Sequence, residues 1–115
     1  MCSSDLFIGQ PSPLSSQAGA GPAGLTEPRD VVVANGAMFV ADTGNDRVMV
    51  WDPAPTVTGT PASYVLGQAD LDSVVPDPAP TERTLMDPNS LAVVGRSLFV
   101  ADRGHQRVLR FTLRR

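Results

Sequence analysis

The chain has 115 residues, 42% of them hydrophobic and 18% charged, with a formal net charge of −3. That length fits one small domain rather than two. No apolar run approaches the roughly 18 to 20 residues needed to span a bilayer as a helix, and the single cysteine, Cys2, excludes a disulfide framework.

Residues 1–6 lack the basic start and following apolar stretch of a signal peptide. The string CSSDL at 2–6 resembles the translation of a sequencing adapter, so residues 1–6 are expected to be non-native or disordered. FIGQ at 7–10 reads as a short strand. Residues 11–24, rich in Pro, Ser and Ala, read as a loop. Within it, residues 19–24 match GxGxxG, but a dinucleotide loop needs a helix immediately after it. Pro22 and Pro28 leave that helix no room.

Residues 29–33 form an apolar, β-branched strand after Pro28, and Asn35 with Gly36 signals a type I′ hairpin turn. The returning strand is 37–41, a Gly-containing turn follows, and 47–51 is a third strand. A Pro-rich loop at 52–61 leads to a fourth strand at 62–68, and 69–84 is a second long loop. Residues 88–113 then supply three more strands, with Gly95 and Arg96 placed for a type II′ turn. The apolar runs 31–33 and 48–51 do not alternate with polar residues, which predicts sheets covered on both faces.

An internal repeat organises these elements. MFVAD ends at Asp42 and LFVAD at Asp102, an offset of 60 residues. Residues 25–52 align with 85–112 at ten identities, among them Leu25 and Leu85, Pro28 and Pro88, Gly44 and Gly104, and Arg47 and Arg107. FIGQ at 7–10 matches VLGQ at 65–68 at an offset of 58. A repeated four-stranded meander with both faces buried is the pattern of a β-propeller blade, and one such sheet needs like neighbours to cover it.

The pattern Leu-x-x-Pro-x-x-(Val/Leu)-x-Val, an apolar-Phe-Val-Ala-Asp string and Arg-Val-apolar resembles the NHL repeat. The GQ endings resemble a bacterial subgroup whose blades end in Leu-Gly-Gln, and a basic set made only of arginine agrees with a GC-rich bacterial genome. The resemblance implies an all-β fold of antiparallel four-stranded blades, part of a six-bladed propeller. Residues 7–115 then form the propeller fragment: 7–10 is the last strand of a preceding blade, 28–68 a complete blade and 88–113 three strands of the next. Residues 11–24 and 69–84 become inter-blade loops. In the second copy His105 replaces the Asn that the family carries two residues before the Arg, which Asn45 keeps; a turn Asn accepts left-handed backbone angles more readily than His.

Asp42 with Arg47, and Asp102 with Arg107, span equivalent turns. Each pair is expected to make a forked, charge-assisted hydrogen bond, with the carboxylate also accepting backbone N–H groups inside the turn. Recurrence in both copies points to structure rather than to a reaction. The sole histidine, His105, is too little for a zinc site, and Asp70 and Asp72 lack the Gly and Glu of a calcium loop. No nucleophile with a partnered base is present, so no catalytic residue, metal or cofactor is assigned.

In the resembled fold the two turns share one face with the long loops, and loops on a rigid scaffold concentrate binding. The candidate contacts are Thr43, Asn45 and Asp46 in one blade and Arg103, His105 and Gln106 in the next. The expected function is a non-catalytic binding or scaffold module for a protein or small ligand. The alternative is a fragment of a propeller enzyme, a metal-dependent lyase or lactonase, with its catalytic residues in further blades. The parent's other blades, or self-association, would complete the ring. Six arginines and one acid lie in 96–115, but the acidic remainder makes nucleic acid a poor partner. Arg107, Arg110, Arg114 and Arg115 are read as charges guarding a sheet edge. The resemblance also implies a secreted or cell-envelope location.

Overall fold

The Asn35–Gly36 hairpin sets the first register. Both residues have positive φ, 54° and 76°, as a type I′ turn requires. It joins β1 (Pro28–Ala34) to β2 (Ala37–Asp42), and β3 (Arg47–Trp51) and β4 (Tyr64–Leu66) follow in an antiparallel sheet of sequential order. A second sheet holds β5 (Pro88–Val94), β6 (Ser97–Asp102) and β7 (Arg107–Thr112), also antiparallel and sequential. At its hairpin only Gly95 has positive φ, 58°, consistent with the expected Gly-first turn. This computed structural model describes residues 6–10, 16–71 and 84–113. Cys2, Pro11, Pro13, Asp72, Arg114 and Arg115 lie outside the described residues, as do most of the loop 69–84 and part of 11–24. Among the described residues there is no α-helix, and no helix is long and apolar enough to cross a membrane.

The sequence repeat is also a backbone repeat. Register shifts fall between Pro28 and Asp30 and between Pro88 and Ser90. Left-handed residues recur at Glu27 and Asp87, then at Asp46 and Gln106. Gly44 N–H donates to the Thr26 carbonyl at 2.8 Å, and Gly104 N–H to the Met86 carbonyl at 2.7 Å.

The two sheets pack face to face. Phe39, Val48 and Val50 of the first sheet share a core with Leu91, Leu98 and Val100 of the second. Residues paired across an antiparallel ladder point to the same face. The pairings therefore put Val32, Phe39 and Val50 on one face, and Val31, Val40 and Met49 on the other. In the second sheet the packed residues Leu91, Val100 and Leu109 are the repeat equivalents of Val31, Val40 and Met49. The contact is thus head to tail, joining opposite faces of the repeat unit.

A second apolar cluster lies beyond the first sheet. Val40, Met49, Trp51 and Ala62 are buried there beneath Ile8, Leu25 and Leu71. The Trp51 indole N–H donates to the Thr60 carbonyl at 2.8 Å. β3 is buried on both faces, as its apolar run predicted. β1 departs from the expectation: Val31 and Val33 are 57% and 65% exposed. The covering segment packs on β2, β3 and β4 of the first sheet and leaves the face of β1 open.

Two strand boundaries also differ from the sequence reading. The fourth strand is shorter than 62–68 because the Ala62 N–H donates to the Pro22 carbonyl at 2.7 Å and Gly67 turns the chain at φ 93°. Among the described residues, 7–10 form no ladder, and Gly9 makes an isolated parallel bridge to Gly24. Gly9 and Gly67 nonetheless play one part. A Cβ on either would sit 2.7 or 2.6 Å from Cδ1 of Leu25 or Leu85, the repeat-equivalent leucines. Gly67→Ala therefore combines strained φ with overlap and is expected to cost about 1–3 kcal/mol in urea denaturation. Gly59→Ala, at φ 77° with nothing within 4 Å, should cost distinctly less in the same measurement.

Candidate functional site

Short 3₁₀ turns carry the predicted site residues: Thr43–Asn45 between β2 and β3, and Arg103–His105 between β6 and β7. Each follows the Asp that ends one strand and precedes the Arg that starts the next. The antiparallel register then sets Asp42 opposite Arg47 and Asp102 opposite Arg107.

Asp42 and Arg47 are fully buried, with Arg47 Nε 2.7 Å from Asp42 Oδ2. The contact uses one nitrogen only, so the forked pairing expected from sequence does not form. The rest of the guanidinium turns to the loops. Nη1 donates to the Leu71 carbonyl at 2.7 Å, and Nη2 to the Gly21 and Gly24 carbonyls at 2.9 and 3.0 Å. Asp42 Oδ1 accepts the Thr26 N–H at 2.6 Å, from the segment before β1 rather than from within the turn. Asn45 Nδ2 donates to Asp42 Oδ2 at 2.9 Å and to the Gly19 carbonyl at 2.8 Å. The glycine loop 19–24 thus presents carbonyls to a cation, the opposite of a phosphate cradle.

The second copy repeats the plan. Arg107 Nε lies 2.8 Å from Asp102 Oδ2, Asp102 Oδ1 accepts the Met86 N–H at 2.7 Å, and Arg107 Nη2 donates to the Thr84 carbonyl at 2.8 Å. His105 Nδ1 lies 2.8 Å from Asp102 Oδ2 and so takes over the Asp contact that Asn45 makes in the first copy. The backbone concern attached to His105 does not arise. His105 lies within the 3₁₀ turn, and the left-handed residue is Gln106, φ 54°. Arg107 is held in the turn and does not guard an edge; Arg110 remains exposed on β7.

The six candidate contacts divide by environment. Thr43 is buried, and its hydroxyl donates to the Pro88 carbonyl, tying the first turn to the second sheet. Asn45 is buried in the network just described. Asp46 Oδ1 accepts the Asp87 N–H at 2.7 Å, again across the sheet joint. The His105 side chain is also enclosed, at 2% exposure. Only Arg103 and Gln106 keep exposed side chains on the loop face, and Arg103 lies 3.5 Å from Asp87. Among the described residues no buried side-chain nitrogen or oxygen lacks a partner, and no three His, Cys, Asp or Glu side chains cluster as a metal site.

Sequence reasoning missed a cleft at the opposite, hairpin end of the sheets. It has a volume of about 490 Å³ and is lined by Asn35, Phe39, Asp52, Tyr64, Arg96 and Leu113 together with two alanines. None of the six candidate residues lines it. It opens where β1 and β2 turn back with the small residues Ala34 and Ala37, a packing gap that no local motif announces. No protein-family model matches the chain, and a search of curated proteins returns no significant relative.

Asp42→Ala strands a buried guanidinium without its counter-charge and should destabilise the chain by about 3–5 kcal/mol. Asp102→Ala should cost less, because Arg107 is 25% exposed and can recruit water; chemical denaturation of both variants gives the comparison. Burial raises the Asp46 carboxyl above its ordinary value of 3.8, with Asp87 and Asp102 adding to the rise and the Asp87 N–H and His105 opposing it. Between the ordinary and the raised value the folded state holds more protons than the unfolded, so stability falls as pH rises through that window. Asp46→Asn keeps an acceptor and tolerates φ 55°. Its melting temperature should exceed the wild-type value at neutral pH, with the gap closing as pH falls below the raised value.

Proposed function

We propose that the chain is a two-blade portion of an NHL-type propeller acting as a non-catalytic binding or scaffold module through its loop face. The observation that carries the reading is the head-to-tail packing of two sheets built on one repeat, the contact by which blades stack around a ring. The buried arginines support the second half of it. Arg47 and Arg107 pin the loops on that face to the sheets, and recognition by a pre-ordered loop surface loses less conformational freedom on binding. Thr43, Asn45, Asp46 and His105 serve the scaffold, so contact falls to Arg103 and Gln106.

Peptide-display selection on the immobilised chain tests this. Selected ligands are expected to lose at least ~10-fold in affinity, about 1.4 kcal/mol, on the double variant Arg103→Glu, Gln106→Ala. Ligands indifferent to both changes would overturn the loop-face assignment.

A further inference from the structure

We infer that the open face of the second sheet and the open face of β1 are complementary, and that a second copy of this chain docks across them head to tail. The inference rests on the sheet packing and stands whether or not the loop face binds a ligand. The first sheet meets the second through a defined joint: Val32 and Phe39 on one side, Leu91 and Val100 on the other. Shifted by one repeat, the first side becomes Ala92 and Phe99, on the uncovered face of the second sheet. The other side becomes Val31, which is exposed, and Val40, which the segment holding Ile8 and Leu25 already covers. The molecule thus carries an unused copy of one half of its own joint and, at Val31 and Val33 of β1, the open part of the other.

The polar ends of the joint match as well. In the joint that exists, Thr43 and Asp46 meet Asp87 and Pro88. Their equivalents are Arg103 and Gln106 on one copy and Glu27 and Pro28 on the other. Arg103 is 60% exposed in its pair with Asp87, and Glu27 66% exposed in its pair with Arg29, so docking would bring two exposed ion pairs side by side.

Edge geometry supplies the last fit. Among the described residues no strand pairs with the outer side of β7. Residues 7–10 are equivalent to 65–68, which include the end of the strand paired with β3. In the same register, Phe7 of the second copy comes opposite Leu109 and Ile8 opposite Val108. A gap of about 270 Å³ between Leu66 and Phe111 lies beside that position and would receive the Phe7 ring. Arg110 stands on the docking face where the first sheet has Val50, and an unpaired charge is costly to cover. Association of the natural chain is therefore weak, and Arg110→Val strengthens it.

Sedimentation of the full chain at up to about 100 µM decides the matter, since a contact with a dissociation constant near ~10 µM is then populated. Arg110→Val is expected to associate at least ~10-fold more tightly than the wild type. Adding Val33→Arg, or separately Ala92→Arg, should return it to monomer with the sheet circular-dichroism signal unchanged. Mixing those two double variants should give dimers and nothing larger, because one sound joint remains, as a head-to-tail interface dictates. A monomeric Arg110→Val chain, or association that survives Val33→Arg, would overturn the proposal.

Discussion

The buried Arg47–Asp42 pair is the constraint on which the first sheet and its loops depend. A guanidinium taken wholly out of water costs several kcal/mol unless its N–H groups and charge are matched. Here one carboxylate and three loop carbonyls match them. The carbonyls come from before β1 and after β4, so one side chain closes the end of the sheet to two loops distant in sequence. Apolar burial holds the sheets together, and this polar knot decides how the irregular segments lie over them.

The knot also explains why the same residue types behave differently in the two copies. Asn45 and His105 both present a nitrogen to the same carboxylate oxygen, although one is an amide and the other a ring. The first copy is sealed between the second sheet and the N-terminal segment, and its arginine sees no solvent. The second copy is covered on one side only, and Arg107 is a quarter exposed.

Much of the architecture was legible in residue order. Asn35 and Gly36 specified a turn type, the 60-residue offset specified two like sheets, and the continuous run in β3 specified burial on both sides. The site was less legible. Asp42 and Arg47 could be paired from their spacing, but the carbonyls at Gly21, Gly24 and Leu71 are backbone groups whose approach depends on tertiary packing. The left-handed residue was expected at the Asn position and lies one residue later, at Asp46 and Gln106, because the 3₁₀ turn takes up the three residues before it. Thr43, Asn45 and Asp46 read as surface polar residues because a sequence does not show where the neighbouring sheet sits. The open face of β1 has the same origin: the run of valines does not show that the described segments leave Val31 and Val33 uncovered.

Trp51 gives the molecule a built-in optical reporter. It is the sole tryptophan, 1% exposed, in the cluster capped by Ile8 and Leu25 and apart from the core shared by the two sheets. Its emission therefore senses whether the amino-terminal cover is seated, while backbone dichroism senses the strands. Any disagreement between the two signals on heating would mean that the cover lifts before the sheets part, a sequence of events a single probe would hide.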